Sequence, residues 1–283
     1  MRLLPLLALL IAVPTAAQPG AWLPLDTSGD AIALTAHKIS FDDDSFFGTD
    51  GFSALSSAQF LQARVGVTPS IRIVADLPLA YASVEDFVGE DVGGLVVGNA
   101  QVGIEADLPA DRGAATVGLS VRLPIVDTII DLDDDSGPAV FYGQFASYDR
   151  FGAFIPETAT LVGTTTGRFD LSPEVALTGQ LTPQVLIPTA NTDFRDTEVL
   201  LGYLFRGEAQ AGPALLTLGI RGTGILTEEV DEDGDRFLHA LGLGAEVQAG
   251  PVRPGLFVEL PINGANEDLL NAVYGFGLSY SLD

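Results

Sequence analysis

Ala115-Thr116-Val117-Gly118-Leu119-Ser120-Val121-Arg122-Leu123-Pro124-Ile125 decides the fold. Apolar residues hold every odd position, while the even positions carry Thr, Gly, Ser, Arg and Pro. A period of two is the signature of a strand with one face in oil and one in a different medium. The same alternation runs through Leu61–Val67, Ile71–Tyr81 and Ala100–Leu108. It continues at about 158–170, 174–187, 197–209, 213–226, 236–249, 255–262 and 273–282, with a weaker stretch at about 31–41. That makes twelve strands, mostly 10 to 14 residues long. Strands of soluble proteins run to about 5–6 residues, whereas a tilted strand crossing a bilayer needs about 9–11.

The connections alternate strictly in length. Short ones fall at 68–70, 109–113, 171–173, 210–213 and 250–254; long ones at about 42–56, 83–96, 126–157, 188–196, 227–235 and 263–272. Both ends of the strand set then lie on the short-turn side. This is the plan of a single closed antiparallel transmembrane β-barrel of about twelve strands, with short periplasmic turns and long outer loops. A soluble sandwich also alternates its faces, but its strands are shorter.

Composition agrees once the charge has a place. Lys+Arg number 13 and Asp+Glu 38, for a net charge of −25, yet mean hydropathy is +0.33. An acidic disordered chain would be poor in apolar residues. A helical membrane protein would show apolar runs of roughly 20 residues. Of the 38 acidic residues, 25 fall in the six long connections, against Arg150 and Arg195 alone. The hydrophobic residues form the lipid-facing band, and most of the acidity lies beyond it.

The first residues form a separate unit. Met1-Arg2, the apolar stretch Leu3–Val13 and the small residues Thr15-Ala16-Ala17 make a signal peptide of residues 1–17, cleaved near Ala17. Residues 18–30 follow as an N-terminal extension, and 31–283 form the barrel. Export to the outer membrane of a Gram-negative-type bacterium is the corresponding expectation. The chain has no Cys, which excludes disulfides and thiol chemistry.

On this register the polar strand face points inward and is rich in Gly, as a narrow barrel demands. It carries Arg64, Arg72, Arg122, Arg168, Arg206 and Arg221 beside Asp76, Glu105, Glu198, Glu246 and Glu259, with Asp107 and Glu208 as further acidic neighbours. A charge facing lipid at mid-depth costs about 2–4 kcal/mol, so these residues line the lumen. Two readings stand side by side: a salt-bridge lattice that fills the barrel, and a polar constriction that selects solutes. Aromatics on the apolar face near strand ends (Tyr81, Phe237 and Tyr274 at one end, Phe169, Phe205 and Tyr280 at the other) suit the two interfacial girdles.

A short pattern occurs three times where an outgoing strand meets a long loop: Asp76-Leu77-Pro78-Leu79, Arg122-Leu123-Pro124-Ile125 and Glu259-Leu260-Pro261-Ile262. Pro cannot donate a ladder hydrogen bond, so these prolines are expected at strand exits or bulges. Together with Val97-Gly98-Asn99-Ala100-Gln101-Val102-Gly103-Ile104, the region 57–125 resembles the outer-membrane barrel transporter family grouped with the meta-pathway of phenol degradation. The likeness returns around Val252–Pro261. It implies a channel or uptake role and supplies no catalytic residues. The last strand, Tyr274–Leu282, looks like the signal read by the barrel assembly machinery, although Leu282 and Asp283 stand where that signal usually ends in an aromatic residue.

The third long loop departs from the rest. Phe141, Phe145, Tyr148 and Phe151 recur at three- and four-residue steps, which predicts a short helix that enters the barrel as a partial plug or caps it. An irregular thirteenth strand is the competing reading. Of the two histidines, His239 lies on the apolar face and His37 in the weakest strand, so no catalytic or metal site is expected, and no cofactor. Glu229-x-Asp231-x-Asp233-Gly234 echoes a calcium loop but has Ala240 at the twelfth position; the acidic loops offer loose contacts to divalent cations. A charge near −25 makes nucleic acid a poor partner. The expected function is passive passage or uptake of small solutes across the outer membrane, with no enzymatic role; the alternative is a non-conducting barrel with a salt-bridged, plugged lumen.

Overall fold

In a computed structural model of the chain, the described residues are 22–23, 30–41, 52–85, 91–126, 136–190, 196–227, 237–263 and 270–282. The strands are β1 (Ala31–Phe41), β2 (Ser57–Thr68), β3 (Ile71–Glu85), β4 (Asp91–Val97), β5 (Gln101–Leu108), β6 (Ala114–Arg122), β7 (Thr158–Asp170), β8 (Val175–Pro188), β9 (Glu198–Ala211), β10 (Ala214–Ile225), β11 (Phe237–Val247), β12 (Val252–Pro261) and β13 (Leu270–Ser281). Every neighbour is antiparallel, and β1 pairs with both β2 and β13, which closes the barrel. Segments β4 and β5 both lie against β3, at Leu79–Glu85 and at Ile71–Asp76 respectively. They are one interrupted stave, so the closed barrel has twelve. The weak stretch at 31–41 is a full member. Leu282 N–H donates to Asp30 C=O at 2.8 Å, which puts both ends of the strand set together.

Two expectations need correction. Residues 83–96 are not a single loop: β3 runs on to Glu85 and Asp91–Val97 pairs with it. Pro124 and Pro261 do sit at strand exits, but Pro78 lies inside β3. Its carbonyl accepts from Gly98 N–H at 2.9 Å. The missing Pro78 N–H therefore faces the break at Gly98-Asn99-Ala100, where β3's neighbour makes no regular ladder. The proline and the interruption answer each other across the wall.

Outward positions carry Leu, Ile and Val at roughly half exposure all round, Leu218 and Leu256 reaching 63% and 64%. A continuous apolar belt of that kind far exceeds the few hundred Å² that soluble monomers tolerate, and a bilayer is the solvent that suits it. Phe169, Tyr274 and Tyr280 are exposed on the same face. The turns at Gly212 and Gly250 take φ of +62° and +66°, a region open to glycine at little cost. Among the described residues no helix is long and apolar enough to cross a membrane.

The third connection carries helix α1 (Gly137–Ala146), followed by a 3-10 turn at Tyr148–Ala153. Pro138 sits in the first turn, where its missing N–H costs nothing. Gly143 lets the ring of Phe154 fold back against the helix; a Cβ there would meet that ring at 2.6 Å. The helix packs inside the barrel on the upper inner face of β1–β4, and the turn after it also touches β7 and β10.

Candidate functional site

The barrel interior is occupied from two sides. The outer insert is α1 and the turn after it. Its buried face is Ala139, Tyr142, Ala146, Ala153 and Phe154, packed on Ile39, Phe41, Ala58, Phe60 and Ala80. Of the sequence stripe, Phe145 packs against this cluster from a half-buried position. Phe141 and Phe145 are half-buried, with ring centroids 4.5 Å apart; the helix ends at Ala146, so Phe151 lies on the turn that follows.

Polar contacts fix the outer insert to the wall. Tyr142 Oη accepts from Ile39 N–H at 2.7 Å, and burial pushes its phenol pKa up to about 12. His37 Nδ1 lies 2.7 Å from Ala146 C=O, so that nitrogen carries the proton. Arg150 lies 3.3 Å from Asp76 and 4.2 Å above the ring of Phe60. Asp76 is also 3.7 Å from Arg122, whose guanidinium donates to Arg150 C=O at 2.8 Å and to Gln101 at 2.5 Å. Asn99 staples the far end: Nδ2 donates to Gly152 and Ile155 carbonyls at 3.0 and 2.7 Å, while Oδ1 accepts from Ile125 and Val126 N–H at 2.7 and 2.9 Å. Gly98 leaves no room for a side chain between Pro78 and Ala153 C=O. Two Leu-Pro copies and the Gly-Asn step thus form one clasp around Arg150 and Ala153.

The inner insert is Trp22-Leu23. Trp22 is 2% exposed. Its indole N–H donates to Glu259 at 2.5 Å, and its carbonyl accepts from Thr217 at 2.7 Å. The seat is made by missing side chains: a Cβ at Gly242 would run into the indole, and one at Gly255 or Gly277 into Leu23. Leu204 and Phe257 complete the cluster. His37 stands between the inserts, its ring centroid 5.1 Å from those of both Phe60 and Phe257.

Ion pairs line the remaining interior. Arg64 forks onto Glu105 across β3, with Nε at 2.7 Å. Arg72 forks onto Asp107 at 2.6 and 2.7 Å. Glu208 gathers Arg206 at 2.8 Å, Arg168 at 3.2 Å and Thr178 at 2.6 Å. Arg168 also meets Asp170 at 2.7 Å, Arg221 meets Glu259 at 2.5 Å, and Glu246 lies 3.8 Å from Arg253. Arg64, Arg122, Arg206, Arg221, Glu105, Glu246 and Glu259 are all below 7% exposure; Arg168 is more open, and Glu198 stands at the long-loop end of β9 beside a cavity. The β7–β8 wall differs: its inward residues are largely Thr and Gln. Among the described residues, Thr160 Oγ1, Thr164 Oγ1 and Gln184 Nε2 are buried there without a hydrogen-bond partner, as is Thr35 Oγ1 on β1. The β7–β8 ladder also skips Gly163 and Thr164, opposite Pro183 and Thr182.

Solved outer-membrane barrels share this fold. The COG4313 outer membrane channel from Pseudomonas putida F1 superposes with a TM-score of 0.61 at 12% identity, over 94% of this chain and 99% of that one. The NanC porin gives 0.51 at 7% identity, over 89% and 100%. The translocator domain of the autotransporter NalP from Neisseria meningitidis gives 0.50 at 11%, over 91% and 90%. At these identities the likeness is one of fold. No protein-family model and no curated protein matches the chain.

Sequence reasoning missed the Trp22-Leu23 insert, the clasp role of Asn99 and the pairing of Arg150 with Asp76. One signal was available. Trp22 is the chain's single tryptophan, placed before the first strand. The acidic runs at 42–44, 133–135 and 231–233 and the calcium-like stretch at 229–234 lie outside the described residues. Tyr203 Oη shares a 2.5 Å hydrogen bond with His239 Nδ1 on the outward face, and among the described residues no group of three potential metal ligands comes together.

Proposed function

We propose that this chain is an outer-membrane channel for passive passage of small solutes, closed in the form described here by two inserts. The observation that carries the reading is the polar lining of the interior. The outer insert is clasped mainly to β1–β6, with its turn against Thr160 of β7, and among the described residues Thr164 and Gln184 of the β7–β8 wall keep a hydroxyl and an amide group without a hydrogen-bond partner. Buried polar groups are normally satisfied by protein or water, so this strip suits water and polar solutes. The passage would run down it, past Arg168, Glu208, Arg206 and Arg221, once Trp22 and Leu23 leave their seat. The eleven inward charges, Arg64 to Glu259, act as a lattice that holds the wall and as the polar lining of that path.

The remaining expectations belong to the same proposal. A signal peptide directs export, the last strand is handed to the barrel assembly machinery, the protein resides in the outer membrane, and its role is not enzymatic. Acidic outer loops raise the local cation concentration, an effect that weakens with salt. Membership of the family grouped with the meta-pathway of phenol degradation fits the clasp built from its Leu-Pro and Gly-Asn steps. Planar-bilayer recording tests the reading: discrete current steps are expected, and silence under every salt and voltage condition overturns it. The near-complete burial of the inward charges favours the second reading, a non-conducting barrel, and silence would select it.

A further inference from the structure

A cavity of about 350 Å³ lies at the long-loop end of the barrel, between the outer insert and the start of β9. Small-molecule sites run from about 300 to 1,000 Å³ and combine apolar walls with a few polar groups. Phe145 and Phe151 of the insert line it together with Leu186 and Leu238 of the wall, and among the described residues the ionisable members of the lining are Asp196 and Glu198, both carboxylates. Asp196 is exposed, Glu198, Phe145, Phe151 and Leu238 are half-buried and Leu186 is buried, so the acidic rim meets solvent and the apolar wall is partly covered.

We infer that this cavity is a binding site for small amphiphilic cations, an aromatic or short aliphatic body bearing one ammonium group. The physical case has three parts. An apolar body gains about 25 cal/mol per Å² on leaving water. An ammonium near a phenyl face gains from the ring quadrupole, more so when partly desolvated. A carboxylate at the rim attracts the cation and repels an acid of the same shape. The stripe Phe145 and Phe151, read from the sequence as a plug surface, thereby acquires a ligand-facing role. The inference deepens the channel reading by naming a solute class, and it rests on that reading for its physiological sense; binding itself is measurable without transport.

The test uses the full chain in zwitterionic-lipid nanodiscs at physiological ionic strength. Fluorine NMR follows 4-fluorobenzylamine, 4-fluorobenzyl alcohol and 4-fluorobenzoate. Saturable binding of the amine is expected, with the alcohol weaker and the benzoate absent. Asp196→Asn with Glu198→Gln is expected to weaken the amine about tenfold. Leu238→Trp, which fills the cavity, abolishes saturable binding while leaving the carboxylates in place. Equal binding of amine and alcohol, binding indifferent to both variants, or no saturable binding of the amine each overturns the inference. Planar-bilayer conductance of the same purified protein separates the two claims: current without amine binding removes this inference alone, and amine binding without current removes the channel reading alone.

Discussion

The two inserts close one barrel by opposite means. The outer one brings a helix, a turn and its own aromatic core, and it is tied through Arg150, Tyr142, Ala146 and the Asn99 clasp. The inner one, among the described residues, brings an indole and a leucine, with hydrogen bonds to Glu259 and Thr217 in a hollow made of glycines. Removing the first exposes buried charge and a hydrophobic cluster. Removing the second uncovers Leu204, Phe257 and the Glu259 carboxylate, set in a wall of Gly and Thr that water can wet. The difference separates a part of the fold from a stopper.

The sharpest break aims at the outer insert. Asp76→Asn leaves Arg122 and Arg150 without their shared carboxylate. Removing one partner from a buried ion pair typically costs about 3–5 kcal/mol, and a loss of that size is expected in denaturant unfolding from micelles. An Asp76→Asn barrel as stable as wild type would mean that the clasp does not support the wall. Trp22→Ala probes the other side. In an ordinary core, Trp→Ala costs about 3–5 kcal/mol; here less than half of that is expected, because the emptied seat admits water. A full core-sized loss would show that the inner insert belongs to the fold as much as the outer one does.

Gly242→Ala sharpens the comparison without touching either insert. The new methyl group runs into the indole, so Trp22 should move out. As the single tryptophan, it reports directly: a red-shifted emission and easier quenching by iodide are expected, with a loss of unfolding free energy no larger than that of Trp22→Ala. The smallest effect comes from Tyr142. Its folded pKa of about 12 lies above the ordinary 10, because burial disfavours the phenolate. Stability from the neutral phenol is fully present below about pH 10, and it is lost as pH rises through about 12. Absorbance near 295 nm should therefore show one tyrosine titrating late, and Tyr142→Phe should remove it at a cost of about 1 kcal/mol.

The barrel was legible because a two-residue period repeated over strand after strand has few other solutions. The inward charges were legible for the same reason: once the register of Leu61–Val67 is set, Arg64 has one direction to point. What escaped has physical causes too. Asp91–Val97 contains Gly93-Gly94 and three consecutive apolar residues, so it shows no alternation, yet β3 gives it a ladder. Pro78 was expected to end a strand, but a break in the neighbouring stave absorbs its missing donor. The aromatic stripe of the third loop assumed one continuous helix, and the chain changes its turn at Ser147. Trp22-Leu23 is too short to have a period at all. Its counterpart was visible as Gly242, Gly244, Gly255 and Gly277, but glycine reports an absence, and the sequence does not say what fills it.

Single-channel recording of wild type beside Trp22→Ala, in the same bilayer and salt, tests the central claim most directly. Wild type should rest closed with brief openings, and Trp22→Ala should dwell open at a larger, steady conductance. Equal and silent traces from two barrels shown to be folded by their gel mobility would contradict the account.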